Sequence, residues 1–476
     1  MTLIKAFKWS FLSELAAKGI QPLAFIILAR LLTPEDFGVM TAALMVIAFS
    51  QIFWDAGMGK ALIQRQHDIL LATNAAFITN MCLAAVIGLC LFLSADFISL
   101  VIFNEERVGP VLEIMTLHVI FGAFCSVQTA LLQKDMEFKK LFWVRLVATA
   151  CPALASIPLA IAGFGYWALI AGAIIGQFFQ AVLLWHLSSW RPSRKVDPDV
   201  TKDMVIFGAW VSVTGLLVWA YAWVDSLIVA QFLGTHILGI YRMGSQLPAL
   251  VFALLLSPLI PVLYSHLSKI SHLNEKLKEI AENFIGTLTI IAIPIAIGIF
   301  IFSSSIEEIV LGPQWSGTAI VLGVMALTHG FSCVVGMNGE FYRAMGKPSY
   351  ETIASGILLT IYISSYLLVI SSGLVVFVWV RFCLALVALV LHLYVLRRIL
   401  QVDLIIIFKR MILITLISII SIGITKIIVF ELISIDWVRL TIGVLVSTIM
   451  TLFLIYIFEK NKSVAYLLSI FKTGSV

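Results

Sequence analysis

LARLLTPEDFGVM, residues Leu28 to Met40, returns 201 residues later as VAQFLGTHILGIY, Val229 to Tyr241. Ala29 falls over Ala230, Leu32 over Leu233 and Gly38 over Gly239. Each copy is a break between two long apolar runs. A fainter echo sets MTLHVIFG from Met115 against MALTHGFS from Met325. Matches this short gain their weight from placement, since both copies of the first fall at equivalent turns of a longer pattern. When each unit holds an even number of membrane-crossing helices and starts on the same side, the units are parallel repeats about an axis along the membrane normal, with cargo sites between them.

The runs around these turns are too apolar for water. Of 476 residues, 61% are hydrophobic and only 12% are charged, about half the ~25% charge of a soluble domain. The mean hydropathy is +1.07. Even a well-packed globule must cover itself with polar groups, so the solvent for this chain is a bilayer. Spans of ~20 residues, read between turn and charge signals, are expected at 9–31, 37–58, 72–94, 109–132, 141–162 and 166–187, then at 204–233, 236–267, 282–304, 315–341, 349–371 and 373–397, and finally at 403–430 and 436–458. The expected fold is an all-α integral membrane protein of fourteen transmembrane helices: two six-helix lobes as parallel pseudo-twofold repeats, plus two C-terminal helices. The lobes are 1–187 and 204–400, joined by a cytoplasmic linker at 188–203, with 401–476 supplying the last two helices and a tail. So little chain is left outside the spans that a large catalytic domain is excluded, which argues against an enzyme.

Charge placement tests the parity of that count. With the N-terminus inside, one face receives most of the Lys and Arg, in groups such as Lys60 and Arg65; Lys134, Lys139 and Lys140; Arg191, Arg194 and Lys195; Arg343 and Lys347; and Arg397 and Arg398. The other face keeps Arg107 and Arg439, with acids such as Glu35, Asp36, Asp96, Glu105 and Glu106. Short loops rich in Lys and Arg stay cytoplasmic, so both termini are expected on the cytoplasmic side of the membrane. The net charge of +5 then reflects loops facing anionic lipid, with no nucleic acid involved.

Local chemistry agrees with the turns. Thr33-Pro34-Glu35-Asp36 offers an N-cap, an N1 proline and two first-turn acids, and Gly346-Lys347-Pro348 ends one helix before another. Ser268 to Asn283 reads as an amphipathic piece on the inner surface. The N-terminus is not a cleavable signal, because Glu14 and Lys18 interrupt its apolar run. The six cysteines lie in apolar stretches with no CxxC pair and no metal-ligand spacing, so no metal or other cofactor is expected. No GxxxxGK[ST] pattern occurs, which leaves an H+ or Na+ gradient or the membrane potential as the driving force.

Several of these segments together resemble a known family: ARLLTPEDFG at 29–38, DAGMGKALIQR at 55–65, ALLQKDMEFKKL at 130–141, GFGYWALIAG at 163–172, VDSLIVAQFLG at 224–234 followed by LGIYR at 238–242, and FYRAMGKP at 341–348. In order and spacing they are similar to the Wzx-type polysaccharide flippases of the multidrug/oligosaccharidyl-lipid/polysaccharide (MOP) exporter superfamily, in the exopolysaccharide branch that includes colanic acid exporters. The resemblance implies a MATE-like V shape with a central cavity. It also implies transport of undecaprenyl-pyrophosphate-linked oligosaccharide repeat units to the periplasmic leaflet, for exopolysaccharide, capsule or O-antigen of lipopolysaccharide.

Charges at bilayer depth are costly and mark function. Ser10, Glu14, Lys18 and Gln21 share one stripe of the first helix, and Glu14 precedes Lys18 by four, the favourable order for an ion pair. Arg30 lies about half a turn from that stripe. Asp225 and Arg242 flank the turn at Leu233-Gly234 and are expected at similar depth as a pair. Arg381 sits early in the twelfth helix. A diphosphate wants persistent cations, and guanidinium matches two of its oxygens. The candidates are therefore Lys18, Arg30, Arg242 and Arg381, with Arg145 at the inner mouth. Glu14, Asp55 and Asp225 are the candidates for ion coupling or gating, and Asp55 reads equally as a loop cap. His118 and His329 read as core histidines. Gln128, Gln177, Gln180 and Asn80 are too generic to encode a particular sugar.

The leading expectation is a lipid-linked oligosaccharide flippase, a monomer working with membrane lipids and with polysaccharide polymerase and export machinery. A MATE-like ion-coupled drug or cation antiporter is the alternative, and it would want an acid-dominated cavity. An integral glycosyltransferase or polymerase would need a large outer loop bearing catalytic acids, whereas the longest outer connection, around Ala95 to Val108, is short.

Overall fold

The computed structural model describes residues 19–193, 195–256, 263, 267, 273–347 and 349–458. Glu14 and Lys18 therefore lie outside the described residues, as does the start of the expected amphipathic segment, 268–272. Among the described residues there is no strand, and twelve helices are long and apolar enough to cross a bilayer. The chain divides into two compact units, Met1–Gly239 and Ile240–Val476.

The first unit holds α1 (Gly19–Leu31), α2 (Pro34–Asp55), α3 (Met58–Gln64), α4 (Ile69–Ile98), α5 (Val108–Lys134), α6 (Phe138–Ile161), α7 (Tyr166–Leu187) and most of α8 (Pro198–Leu256). α4 packs along α5 and α6 along α7. Small residues let α2 sit deep: Ala42 and Ala43 have no exposed surface, whereas Leu93 and Phe97 of α4 are 74% and 65% exposed, as expected of side chains meant for lipid.

α2 starts at Pro34, ahead of the first apolar residue at Phe37, because the cap sets the start. The Asp36 N–H donates to the Thr33 hydroxyl at 3.3 Å, and the Thr33 N–H donates to the Asp36 carboxylate at 3.0 Å. It ends at two consecutive left-handed residues, Ala56 (φ 41°) and Gly57 (φ 64°). A Cβ on Gly57 would also lie 2.6 Å from the Val211 side chain. The extra turn α3 that follows lies beyond the expected span. It is held at its C-terminus by Lys134, whose ammonium donates to the carbonyls of Leu62 at 3.1 Å, Ile63 at 3.2 Å and Arg65, a cation where helix carbonyls lack partners.

α8 is 59 residues long, roughly 90 Å at 1.5 Å per residue against a ~30 Å hydrocarbon core. It is not one span, since Gly234 adopts φ 85° and ψ 172°, at the turn the sequence predicts. Here the repeated segments meet. A Cβ built on Gly38 would lie 1.9 Å from the Thr235 carbonyl oxygen, and one built on Gly239 would lie 1.9 Å from the Pro34 carbonyl oxygen. Pro34 and Thr235 are themselves equivalent positions of the repeat, so the approach is reciprocal.

The second unit continues with α9 (Asn274–Ile306), a π-helical turn Glu307–Leu311, α10 (Thr318–Val335), α11 (Asn338–Ala344), α12 (Ser349–Val369), α13 (Leu374–Leu400), α14 (Leu404–Leu432) and α15 (Asp436–Phe458). α9 is the hub, packing on α10 and α14. Its first turns, the described part of the expected surface piece, run without interruption into the apolar helix. The span expected at 315–341 is broken at Gly336 and Met337, and α11 is anchored instead by the Tyr342 hydroxyl donating to the His392 carbonyl at 3.1 Å. Arg343 bridges Glu340 at 3.0 Å and Glu351 at 2.8 Å, tying α11 to α12. Within α14, Lys426 finds a partner at depth: its ammonium donates to the Ile301 carbonyl at 2.7 Å and lies 5.6 Å from the Phe430 ring centroid.

Candidate functional site

A polar concavity of the first unit is a cavity of about 390 Å³ at the end of α2. α2 contributes Gln51, Trp54 and Asp55, and α3 contributes Gly59 and Lys60. α5 contributes a stripe, His118, Gly122, Ser126, Thr129 and Gln133, and α7 adds Gln177 and Gln180. The α5 positions recur at intervals of three and four, which puts them on one helical face. Gly122 makes room for the large aromatic wall: a Cβ there would lie 2.9 Å from the Trp54 indole.

Asp55 is anchored at the back of this cavity. Its carboxylate accepts from the Ser126 hydroxyl at 2.5 Å. Ser126 in turn is 3.2 Å from the Asn80 amide, and Asn80 is fully buried on α4. In the opposite amide orientation, Asn80 accepts from Ser126 and donates to the Trp54 and Asp55 carbonyls, each at 3.2 Å. The Gln177 amide donates to the Cys125 sulfur at 3.6 Å. Trp54 is 5% exposed, and its indole N–H is a buried donor with no hydrogen-bond partner among the described residues.

Of the residues singled out in the sequence, Asp55 lies in this cavity together with Gln177 and Gln180. His118 also lines it and is half-buried, so it is not enclosed in a core. His329 is half-buried as well and stacks on Phe252 with centroids 6.4 Å apart. Gln128 is fully buried and belongs to another face of α5, beside Trp185. Arg30 and Arg145 are exposed, and the Arg145 carbonyl accepts from the Thr149 hydroxyl at 2.9 Å. Asp225 is buried and accepts from the N–H and hydroxyl of Ser226 at 2.5 and 3.1 Å. Arg242 is half-buried. Arg381 donates to the hydroxyl of the buried Tyr241, with its guanidinium carbon 5.8 Å from the ring centroid. The sequence reading passed over Lys60 and Gln133 as site residues. The signal for Gln133 was present, a polar stripe at helical spacing along the apolar α5.

Residues 27–320 match the family described as "Polysaccharide biosynthesis protein". The chain belongs to that family. It is 25% identical over 352 residues to the lipopolysaccharide biosynthesis protein WzxC of Escherichia coli K12, covering 72% of this chain and 68% of that one. It is 24% identical over 322 residues to the succinoglycan biosynthesis transport protein ExoT of Rhizobium meliloti, covering 68% of this chain and 65% of that one. The chain thus spans about two thirds of the length of these relatives. Its fold is shared with the lipid II flippase MurJ in its inward closed conformation, at a TM-score of 0.74 and 15% identity, over 95% of this chain and 99% of that one. The Wzx-type resemblance carried by the turn motifs therefore holds, and the chain is a multi-pass membrane protein.

Proposed function

We propose that this protein is a flippase, not an enzyme, which moves undecaprenyl-diphosphate-linked oligosaccharide units across the inner membrane by alternating access, for surface polysaccharide synthesis. The observation that carries the reading is a polar, amide-lined cavity set among membrane-spanning helices of a chain from a polysaccharide biosynthesis family. Polar side chains at such depth face water-filled pathways. The break at Gly234 and the short α1 support fourteen spans, and the reciprocal approach of Gly38 and Gly239 supports two parallel repeats, 1–187 and 204–400; the Lys and Arg bias of alternate loops supports cytoplasmic termini. In this reading Lys18, Arg30, Arg145, Arg242 and Arg381 supply cationic contacts to the diphosphate while the prenyl tail stays in lipid. Glu14, Asp55 and Asp225 serve coupling to H+, Na+ or the membrane potential. A monomer suffices, handing its cargo to polymerase and export machinery. A MATE-like antiporter would want excess acid, whereas the one carboxylate of this cavity is already bonded by Ser126 and shares the cavity with Lys60.

The test is genetic. Deleting the gene is expected to abolish surface polysaccharide and to leave lipid-linked repeat units on the inner leaflet; an unchanged polymer would contradict the proposal. Arg242→Ala, inserted at normal levels in the deletion strain, is expected to cut polymer at least tenfold, and full restoration by it removes Arg242 from the site.

A further inference from the structure

We infer that the cavity at the end of α2 is a glycan subsite, which receives a neutral sugar ring of the cargo and is separate from whatever cations hold its diphosphate. The inference rests on the flippase reading and adds to it a place and a chemistry for the sugar.

The lining sets the ligand class. Its charged side chains are Asp55 and Lys60, one of each sign, so the cavity favours neither a diphosphate nor an organic cation. What dominates is neutral hydrogen-bonding capacity: Gln51, Gln133, Gln177 and Gln180, each with two donors and an acceptor, beside the hydroxyls of Ser126 and Thr129. Amides and hydroxyls that both give and take are the match for a ligand whose own groups are hydroxyls. A prenyl chain has nothing to offer them. The volume of about 390 Å³ falls in the lower part of the range of small-molecule sites, ~300–1,000 Å³.

Trp54 backs the cavity, 5% exposed and packed against Gly122, so the groups that meet a ligand are the amides and hydroxyls. Single glutamines are generic, but four amides from α2, α5 and α7 lining one cavity are not.

The experiment is ligand-dependent thermal stabilisation of the full chain in detergent. The probes are undecaprenyl diphosphate alone and undecaprenyl diphosphate carrying one glucose, galactose or N-acetylglucosamine. Wild type is expected to be stabilised by the bare lipid and, with at least one of the sugars, to bind about tenfold more tightly still. Gln177→Leu and Gln180→Leu are expected to keep the response to the bare lipid and to lose the sugar-dependent increment. Where a leucine variant loses the bare-lipid response as well, Gln177→Asn and Gln180→Asn, which shorten the reach while staying polar, replace it with the same expectation. An increment that survives in these variants, or a wild type that responds equally to bare and glycosylated lipid, overturns the subsite while leaving the flippase reading intact. A wild type that responds to none of the four lipids overturns both.

Discussion

The Glu35 carboxylate and the His236 imidazole nitrogen Nδ1 stand 2.5 Å apart, and they are the same position of the two repeated segments. A contact between equivalent positions is reciprocal, just as an isologous interface pairs each contact with its mirror. The neighbours obey the same rule: Gly38 faces Thr235, and Gly239 faces Pro34.

Two kinds of interaction act at this crossing, and their sizes differ. The Glu35 and His236 side chains are 38% and 48% exposed, so their pairing is worth at most about 1 kcal/mol. The backbone approach tolerates no side chain, since a new methyl would sit 1.9 Å from a carbonyl oxygen in either repeat. Gly38→Ala and Gly239→Ala are each expected to cost about 1–3 kcal/mol, read as unfolding temperature in detergent, while His236→Ala costs less than either. Tolerance of alanine at one glycine and not at the other would break the reciprocity.

Beside that crossing, Glu105 accepts from Arg107 at 2.8 and 3.0 Å and from the Thr235 hydroxyl at 2.8 Å. The Arg107 guanidinium, foremost, and Thr235 hold its carboxyl down to about 2, from an ordinary 4.5, against the opposing effect of partial burial. A depressed carboxylate stabilises the fold above its unfolded-state value and loses that contribution as pH falls towards its folded value. Wild type is therefore expected to exceed Glu105→Gln by about 1 kcal/mol at neutral pH, with the gap closing between 4.5 and about 2. A gap that persists unchanged through that window contradicts the assignment.

Lys134→Met keeps the length of the side chain and removes the ammonium from three carbonyls at the end of α3. The expected loss is about 1–3 kcal/mol, localised: amide exchange in Met58–Gln64 should quicken while α4 and α5 keep their protection. Uniform loss of protection, or none, counts against Lys134 as the clasp of α3.

Asp55→Asn retains the shape at the Ser126 hydrogen bond and removes the titratable group. If Asp55 carries coupling protons, transport by this variant in vesicles loses its dependence on an imposed pH gradient. Dependence equal to wild type would return Asp55 to a capping role at the end of α2.

Much of this was legible in sequence because bilayers impose simple rules. Apolar run length and the break at Gly234 follow from hydrocarbon thickness and from backbone chemistry, and Thr33-Pro34 announces a helix start. What stayed hidden depends on packing. α3 follows from the left-handed pair Ala56 and Gly57, and left-handed geometry at an alanine carries no sequence signal. The break at Gly336 and Met337 is hidden inside a continuous apolar run. The cavity required α2, α5 and α7 to be assembled before Gln51, Gln133, Gln177 and Gln180 could be seen as one lining. Arg381 looked free to meet a ligand, and only the fold shows Tyr241 beneath it.

The most direct measurement is translocation itself. Purified protein in liposomes is loaded with prenyl diphosphate oligosaccharide bearing a fluorophore on its sugar, and a membrane-impermeant quencher is added outside. The account predicts that label on the inner leaflet becomes quenchable only in protein-containing vesicles, and more slowly with Arg242→Ala. Inner-leaflet label that stays protected in the presence of active protein, while a cationic dye crosses instead, would contradict it.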